Sequence, residues 1–386
     1  MEHYDYIICG GGLSGLSLAH RLTDQSFADK RILILDQSPK NTNDRTWSFW
    51  ARRSFDRYKV IYRKSWDHLV FYAPDVEVKG TADPYAYHTI SGLDFYNHTL
   101  KEIGACSHVE FKVASVQTVV DQGDHVVVQT DQHTYRADYV FDSIVKAFPE
   151  AEQLFVWQHF MGWEVKLTQG SWDDSTATFM DFRVDQGDDT RFVYILPFDK
   201  QTALVEATVF SKDLWTEERY KEMLTAYMKR YVQLPYELIS TEIGKIPMTT
   251  ASFSRGSKRV IPIGTNNATV KPSSGYAFMR IQKECDELTE RIRQGQISRV
   301  KKKRRFIAYD RTLLNVLLTQ KESAQRVFGL MFMRNTYGQN LKFLDEETSL
   351  WEEIKIFWTL PFWSFLRAFL SENVFSRTKS KTVSNP

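Results

Sequence analysis

The sequence predicts an α/β fold with three parts: a mainly parallel sheet, a second lobe on an antiparallel sheet, and a helical C-terminal part. Three observations predict it. Residues 4–36 contain two short apolar runs joined by a glycine-rich turn and an amphipathic stretch. Residues 157–250 contain several strand-like runs separated by polar turns, and beyond residue 299 apolar residues recur at helical spacing.

The N-terminal stretch has the pattern of a βαβ nucleotide-binding unit. The apolar run 4–9 enters a G-x-G-x-x-G turn formed by Gly10, Gly11, Gly12, Leu13, Ser14 and Gly15. A helical pattern follows, and a second apolar run ends at Asp36. Such glycines permit a tight turn, close approach of the backbone to a pyrophosphate, and close packing of the helix on the sheet. The acid at the end of the second strand suits ribose hydroxyls, so we predict a Rossmann-like dinucleotide-binding domain rather than a glycine turn without a ligand.

Residues 137–143, A-D-Y-V-F-D-S, favour FAD over free NAD as the nucleotide. Flavoproteins with a βαβ unit often return such a strand to the sheet beside the cofactor. The predicted FAD-binding domain is discontinuous and comprises residues 1–60, 104–150 and 255–295.

Three residues outside the turn are candidate cofactor contacts. Gly264 ends a predicted strand, and Gly275 precedes a predicted helix whose N-terminus could face the flavin. Arg45 is close enough in sequence to the βαβ unit to reach a bound nucleotide, although a surface arginine beside core aromatics is an equal alternative.

The second lobe carries two candidate catalytic acids. We predict a substrate domain over residues 61–103 and 151–254. Glu206 lies in the apolar run L-V-E-A-T, and Asp181 lies in F-M-D-F-R. Burial in such a strand would raise the pKa of a carboxyl group and leave a proton donor near neutral pH. The alternative for either acid is an ion-paired carboxylate that faces water.

Composition excludes several other classes of protein. A formal net charge of +2 over 386 residues predicts no nucleic-acid partner. The three cysteines are far apart and the histidines lack metal-ligand spacing, so we expect neither disulfides nor a metal site. No G-x-S-x-G, H-E-x-x-H or Walker A motif offers competing chemistry. The absence of a signal peptide before the first strand predicts a cytoplasmic protein.

The C-terminal region, residues 296–386, is predicted to be helical and to end in a disordered tail at 377–386. A basic run at 299–305 precedes an aromatic segment at 357–366, which is too short to span a bilayer. We interpret the two as a membrane-docking surface, with a helix-bundle cap as the alternative.

Taken together, the motifs resemble those of the lycopene β-cyclase family over nearly the whole chain. The segments that carry the resemblance are D-R-T-W-S-F-W at 44–50, F-M-D-F-R at 179–183, F-V-Y-I-L-P-F at 192–198, L-V-E-A-T at 204–208 and K-P-S-S-G-Y-A-F at 271–278. Two places depart from the family pattern: the segment G-T-N-N-A at 264–268 has asparagine, at Asn266 and Asn267, where a glycine is expected, and Ala207 stands where the family has a second acid.

The resemblance implies a flavoprotein-monooxygenase-like fold and a redox-neutral isomerase. The enzyme would use reduced FAD, with NAD(P)H as reductant, to cyclise the ψ-end groups of lycopene to β-rings, giving γ-carotene and then β-carotene. Glu206 becomes the expected proton donor, protonating C2 so that the C1–C6 bond closes and C6 loses a proton. Lycopene is too apolar to leave the bilayer, so the enzyme is expected to attach peripherally to the inner face of the cell membrane.

Other functions are compatible with the same motifs. An FAD-dependent monooxygenase or a prenyl reductase acting on an apolar isoprenoid would consume NAD(P)H in proportion to product. A carotenoid-binding protein with a vestigial nucleotide fold would purify without flavin. The sequence leaves open whether one or both ends of lycopene react, whether the ring is β or ε, and the oligomeric state.

Overall fold

The computed structural model describes residues 1–251, 253–319 and 323–375. The tail predicted to be disordered, 377–386, lies outside the described residues. The strands are, in chain order, β1 (Glu2–Cys9), β2 (Ile32–Asp36), β3 (Thr46–Arg52), β4 (Lys64–Trp66), β5 (His68–Ala73), β6 (Val76–Thr81), β7 (Tyr85–Ser91), β8 (Val109–Val113), β9 (Val116–Asp121), β10 (Val126–Thr130), β11 (Thr134–Asp142), β12 (Phe155–Leu167), β13 (Thr176–Asp181), β14 (Thr190–Pro197), β15 (Thr202–Ser211), β16 (Tyr236–Thr249) and β17 (Val260–Pro262). The α-helices are α1 (Leu13–Arg21), α2 (Gly92–Gly104), α3 (Glu217–Tyr227), α4 (Phe278–Arg293), α5 (Arg304–Leu318), α6 (Ala324–Arg334), α7 (Tyr337–Leu344), α8 (Leu350–Phe357) and α9 (Phe362–Leu370).

The first sheet has the strand order β8-β2-β1-β11-β10-β9 and contains the predicted Rossmann-like unit. Strands β8, β2, β1 and β11 pair in parallel, and β17 extends the parallel pairing along the second half of β11. β2 is buried along its whole length, as expected of a central parallel strand covered on both faces. Helices α1 and α4 pack together on one face of this sheet. The glycine turn follows β1 in the chain and therefore lies at the carboxyl end of that strand.

The second sheet has the order β16-β12-β15-β14-β13-β5-β6, and its pairings are antiparallel except for β13 with β5. Apolar side chains at alternate positions of β12 and β15 pack against α3 on one face. This is the predicted antiparallel lobe. The three-stranded sheet β3-β7-β4 joins strands from both sides of the predicted boundary at residues 60 and 61.

The helical C-terminal part packs on the second sheet. Phe332 of α6 stacks on Phe71 of β5 with ring centroids 4.9 Å apart, and Phe328 stacks on Phe182 at 5.7 Å. Within the described residues, none of the helices is both long and apolar enough to cross a membrane.

Candidate active site

The glycine turn between β1 and α1 is built from residues that tolerate no side chain at two positions and leave open space at a third. Gly10 has φ +96°, and a Cβ atom there would lie 2.2 Å from Ser143 Oγ. A Cβ atom on Gly15 would lie 1.8 Å from the Gly10 carbonyl oxygen. At Gly12, by contrast, no atom of any other described residue, its two chain neighbours apart, lies within 4 Å of the Cβ position. The turn is therefore closely packed at Gly10 and Gly15 and open to a ligand at Gly12.

Asp36 lies beside this turn at the carboxyl end of β2. Its Oδ2 accepts a hydrogen bond of 2.6 Å from the Gly11 amide, and its Oδ1 accepts one of 2.8 Å from the Ser38 amide. Lys40 Nζ lies 3.0 Å from the same carboxylate. Leu13 and Ser14 begin α1 without a side-chain cap, so the first helical amides remain available to an anion.

A cavity of about 430 Å³ opens between the glycine turn and the second sheet. The predicted site residues that line it are Gly12, Leu13, Ser14, Arg45, Glu206 and Gly275. Arg45 contacts the Asp44 carboxylate at 2.6 Å while its side chain remains partly exposed. The structure thus brings five of the predicted nucleotide residues and one predicted acid to a single cavity, whereas Gly10, Gly11, Gly15, Asp36 and Gly264 do not line it.

Three buried oxygen atoms in this cavity wall have no hydrogen-bond partner among the described residues. They are Ser14 Oγ, Gln158 Oε1 and Ser274 Oγ. Buried polar atoms are normally paired, so these atoms indicate a polar ligand. Together with the open face of Gly12 and the uncapped start of α1, they fit the phosphates and polar ring edge of a flavin dinucleotide.

Gly264 and Gly275 have different roles in the structure. Gly264 has φ +60°, and a Cβ atom there would lie 2.6 Å from Ser14 Cβ, so this glycine lets the turn after β17 approach α1 closely. It does not line the cavity, whereas the next residue, Thr265, does. Gly275 has φ +71° and faces Gln158 across the cavity wall, where a Cβ atom would lie 2.0 Å from Oε1.

The two asparagines that depart from the family pattern, Asn266 and Asn267, are buried structural residues. Asn266 Nδ2 donates to the Asp142 carbonyl oxygen at 3.1 Å. The neighbouring Asn267 donates to Glu284 Oε1 at 2.5 Å. Both side chains hold the turn after β17 to its surroundings, and neither lines the cavity.

Glu206 points into the cavity from β15. Tyr194 is its cross-strand neighbour on β14, and the rings of Tyr87 and Tyr276 line the same cavity. Burial raises the pKa of Glu206 to about 8, the nearby charge of Glu242 adds to the increase, and a 2.7 Å hydrogen bond from Thr208 Oγ1 opposes it. The carboxyl group is therefore mostly protonated at neutral pH.

Glu242 is a second cavity carboxyl that the sequence analysis missed. It lies on β16, and its Oε2 accepts a 2.8 Å hydrogen bond from Thr46 Oγ1. Burial raises its pKa, and this hydrogen bond opposes the increase. The run 236–242 is largely polar and exposed, so nothing in the local pattern indicates a buried acid there.

Asp181 is not brought to Glu206. Asp181 is fully buried, and its carboxylate contacts Arg183 Nη2 at 2.5 Å. The same carboxylate accepts a 2.6 Å hydrogen bond from the hydroxyl of Tyr227, the last residue of α3. Its neighbour across β14, Val193, also packs toward α3. Asp181 therefore lies on the opposite face of the sheet from the cavity, in an ion pair.

A second cavity of about 340 Å³ lies among the C-terminal helices and is lined mainly by apolar side chains. The loop 270–276 separates it from the first cavity: Lys271 and Ser273 line the second, whereas Ser274 and Gly275 line the first. Lys271 anchors the loop, since its Nζ lies 2.9 Å from Asp310 and 3.1 Å from Glu346. The two cavities thus share one thin wall.

The predicted membrane-docking surface is only partly exposed. Trp351, Trp358 and Trp363 on and between α8 and α9 are 77%, 66% and 70% exposed. The basic run, however, is not a uniform surface patch. Arg299 donates to Asn267, and burial lowers the pKa of Lys302 to about 7. In the run 299–305, the residues exposed to solvent are Lys301, Lys303 and Arg304.

Neither a metal cluster nor a disulfide occurs in the part of the chain that the structure describes. Among those residues, no group of three His, Cys, Asp or Glu side chains is placed to hold a metal ion. Cys9, Cys106 and Cys285 are free, and the first and last of these are buried.

The fold is shared with solved flavoprotein structures. A geranylgeranyl bacteriochlorophyll reductase-like protein from Thermoplasma acidophilum superimposes with a TM-score of 0.58 at 12% identity, covering 98% of each chain. A flavoprotein/dehydrogenase from Cytophaga hutchinsonii gives a TM-score of 0.61 at 12% identity, covering 96% of this chain and 99% of the other. The halogenase PltM, solved with phloroglucinol and FAD, gives 0.55 at 12% identity over 89% of this chain and 82% of the halogenase. At this identity the likeness defines the fold.

A family sequence model identifies the family, and similar sequences agree with it. A lycopene beta-cyclase from Pantoea ananas is 25% identical over 296 residues, which cover 74% of each chain. A chloroplastic neoxanthin synthase from Solanum lycopersicum is 23% identical, and the match covers 76% of this chain and 61% of that protein. The sequence model described as "Lycopene cyclase protein" matches residues 5–370. This chain therefore belongs to the lycopene cyclase family.

Proposed function

We propose that this chain is a lycopene β-cyclase that converts ψ-end groups to β-rings, forming γ-carotene and then β-carotene, with no net redox change. The observation that carries the proposal is the place of Glu206: a half-buried, mostly protonated carboxyl in the same cavity as the glycine turn. A proton donor near neutral pH is what an acid-catalysed cyclisation requires. The family membership and the Pantoea relative support the substrate.

Glu206 starts the reaction by protonating C2 of the end group. The resulting carbocation closes the C1–C6 bond, and loss of a proton from C6 gives the β-ring. Tyr87, Tyr194 and Tyr276 line the same cavity as Glu206 and can stabilise the cation through their ring faces. Their apolar bodies also exclude water that would otherwise trap the cation. Asp181 has no part in this step because it faces α3.

FAD is the proposed cofactor, and the chain offers residues for each of its parts. The turn from Gly10 to Gly15 and the start of α1 would hold the pyrophosphate, and Asp36 would accept hydrogen bonds from the ribose. Gly275 and the partly exposed Arg45 line the cavity and would contact the flavin. When bound and reduced, the flavin supplies negative charge close to the developing cation. NAD(P)H serves as the reductant that keeps it in that form.

Lycopene is proposed to reach the site from a membrane surface, with the protein attached peripherally to the inner face of the cell membrane from the cytoplasm. The exposed tryptophans of the α8–α9 region support this placement because Trp side chains favour the membrane interface. The apolar cavity among the C-terminal helices adjoins the candidate active site across the loop 270–276 and suits a polyene chain.

The proposal is tested by expressing the chain in bacteria that accumulate lycopene and extracting the pigments. The wild type should produce cyclised carotenoid, whereas Glu206→Gln should leave lycopene, because an amide cannot donate the proton. Loss of a general acid typically costs about 10²–10⁴-fold in rate. Glu237→Gln, an exposed carboxyl on β16, is the matched control and should behave as the wild type. Unchanged lycopene with a folded, flavin-loaded wild type would contradict the proposal.

A further inference from the structure

We propose that Glu242 is the general base that removes the C6 proton, acting opposite Glu206 across the reacting end group. This inference rests on the proposed cyclase function and adds a second catalytic residue to it. It arises from the pairing of three strands, β15, β12 and β16, which no local feature of the sequence reveals.

The strand register places the two glutamates symmetrically about one glycine. Gly162 of β12 pairs with Glu206 on β15 and with Glu242 on β16. Neighbouring strands lie about 4.8 Å apart, so the two glutamate Cα atoms are about 10 Å apart on one face of the sheet. Both side chains line the same cavity. An end group lying over Gly162 would therefore have a carboxyl group on either side.

The absence of a side chain at Gly162 keeps this space open. A Cβ atom there would lie 2.9 Å from Leu204 Cδ1 and 3.1 Å from Glu242 Cγ. Both distances are shorter than ordinary contacts, so any larger residue would displace the Glu242 side chain. Gly162 thus lies between the two carboxyl groups and leaves the space above it open.

The surrounding charges give the two carboxyl groups different roles. Burial raises the pKa of Glu242, but the hydrogen bond from Thr46 and, less strongly, the charges of Arg63 and Arg45 oppose the increase and favour the ionised form. Glu164 opposes this effect, but its Oε2 accepts a 3.0 Å hydrogen bond from Arg63. Lys245 also lines the cavity.

Glu206 has no such cation among the groups that shift its pKa. Tyr87 and Tyr194 lie near it as neutral hydroxyls, and the charge of Glu242 further disfavours its ionisation. Two carboxyls whose environments separate their proton affinities form an acid and a base. In the proposed reaction, Glu206 carries the proton of the pair, and Glu242 is the acceptor.

The reaction balances with this pair alone. The C1=C2 π electrons take the proton of Glu206, leaving Glu206 ionised and a cation at C1. The C5=C6 π electrons then form the C1–C6 bond and leave the cation at C5. Glu242 accepts the C6 proton, and the C6–H electron pair forms the new C5=C6 double bond. The proton afterwards passes from Glu242 back to Glu206, directly or through water, so no electrons are gained or lost.

The test compares Glu242→Gln, Glu242→Asp and the control Glu237→Gln, using purified flavin-loaded protein with lycopene in vesicles across a range of pH. We expect Glu242→Gln to lower kcat by about a hundredfold or more. The acidic limb of the pH profile, which reports ionised Glu242, should disappear. The alkaline limb should move to lower pH, because removal of the Glu242 charge lowers the pKa of Glu206. A residue that merely supported the fold would not move both limbs.

The reaction products and a second variant distinguish failure of this inference from failure of the proposed function. In Glu242→Gln, the remaining turnover in D₂O should still place deuterium at C2, while a larger share of product loses its proton from C4 or the C5 methyl group. Glu242→Asp should recover part of the rate. If the Gln variant fails to bind flavin, the pH profile of Glu242→Asp tests the inference instead, and it should retain the acidic limb. A Gln variant within about twofold of wild type at every pH would overturn the inference. An inactive wild type would instead contradict the proposed function.

Discussion

At the scale of single residues, the glycine turn makes a prediction that separates flavin binding from folding. No atom of any other described residue, its two chain neighbours apart, lies within 4 Å of the Gly12 Cβ position, and its φ of −84° suits any L-residue. Gly12→Val should therefore fold normally but fill the space that the pyrophosphate would approach. We expect flavin affinity to fall about tenfold or more, a change of about 1.4 kcal/mol, measured by flavin fluorescence titration of the apoprotein.

The matched variant is Gly15→Val, in the same turn. Its Cβ atom would lie 1.8 Å from the Gly10 carbonyl oxygen, so the turn itself would have to shift. Thermal unfolding should show a large loss of stability for this variant and almost none for Gly12→Val. A Gly12→Val protein that binds flavin as tightly as the wild type would show that the cofactor does not approach this turn.

The three acids differ in how far the sequence could predict whether their side chains face the cavity. Glu206 was predictable because Val205 and Ala207 flank it in an apolar strand. Asp181 has a similar local pattern, yet it faces α3, since the face that a strand residue occupies depends on pairing and bulges elsewhere in the sheet. Glu242 belongs to a polar run and gains its position through Gly162, eighty residues earlier in the chain.

At the scale of elements, α8 and α9 carry the proposed contact with the membrane. Replacing Trp358 and Trp363 together by Ser removes two exposed indole rings, which favour the membrane interface. Binding to vesicles should fall severalfold while the fold is retained. Sedimentation with neutral and anionic vesicles, followed by quantification of bound protein, measures this.

The control for the tryptophan variant is Ile239→Ser, which removes an exposed apolar side chain on β16. It should bind vesicles as the wild type does. Because Lys301, Lys303 and Arg304 are exposed in the basic run, anionic lipid should strengthen binding by the wild type only modestly. Equal vesicle binding by the tryptophan variant and the wild type would contradict the docking role of this region.

The elements also show where prediction from sequence succeeds. The β1–α1–β2 unit is contiguous, and its glycines, apolar runs and terminal acid were all recognisable in residues 4–36. The basic run 299–305 was interpreted as a surface because its charges are consecutive. Its tertiary surroundings place Arg299 and Lys302 inward instead, where Arg299 bonds Asn267.

At the scale of the whole molecule, three parts meet at the candidate site. The first sheet provides the glycine turn, the second sheet provides Glu206 and Glu242, and the loop 270–276 divides their cavity from the apolar one among the C-terminal helices. This assembly depends on contacts between distant stretches of chain. The sequence could therefore predict the three parts, but not that the loop 270–276 separates the two cavities.

The same assembly predicts how the enzyme uses reductant. In the proposed reaction Glu206 supplies the proton and no electrons leave the substrate, so one reduction of the flavin should support many cyclisations. In an anaerobic assay with a limiting amount of NAD(P)H, product should exceed the NAD(P)H consumed by a large factor, whereas oxidised flavin should give almost none. Carotenoid is quantified by chromatography and NAD(P)H by absorbance, with Glu206→Gln as the variant that retains flavin but forms no ring. Product equal to the NAD(P)H consumed, or dependent on oxygen, would instead indicate a reductase or a monooxygenase built on this flavoprotein fold.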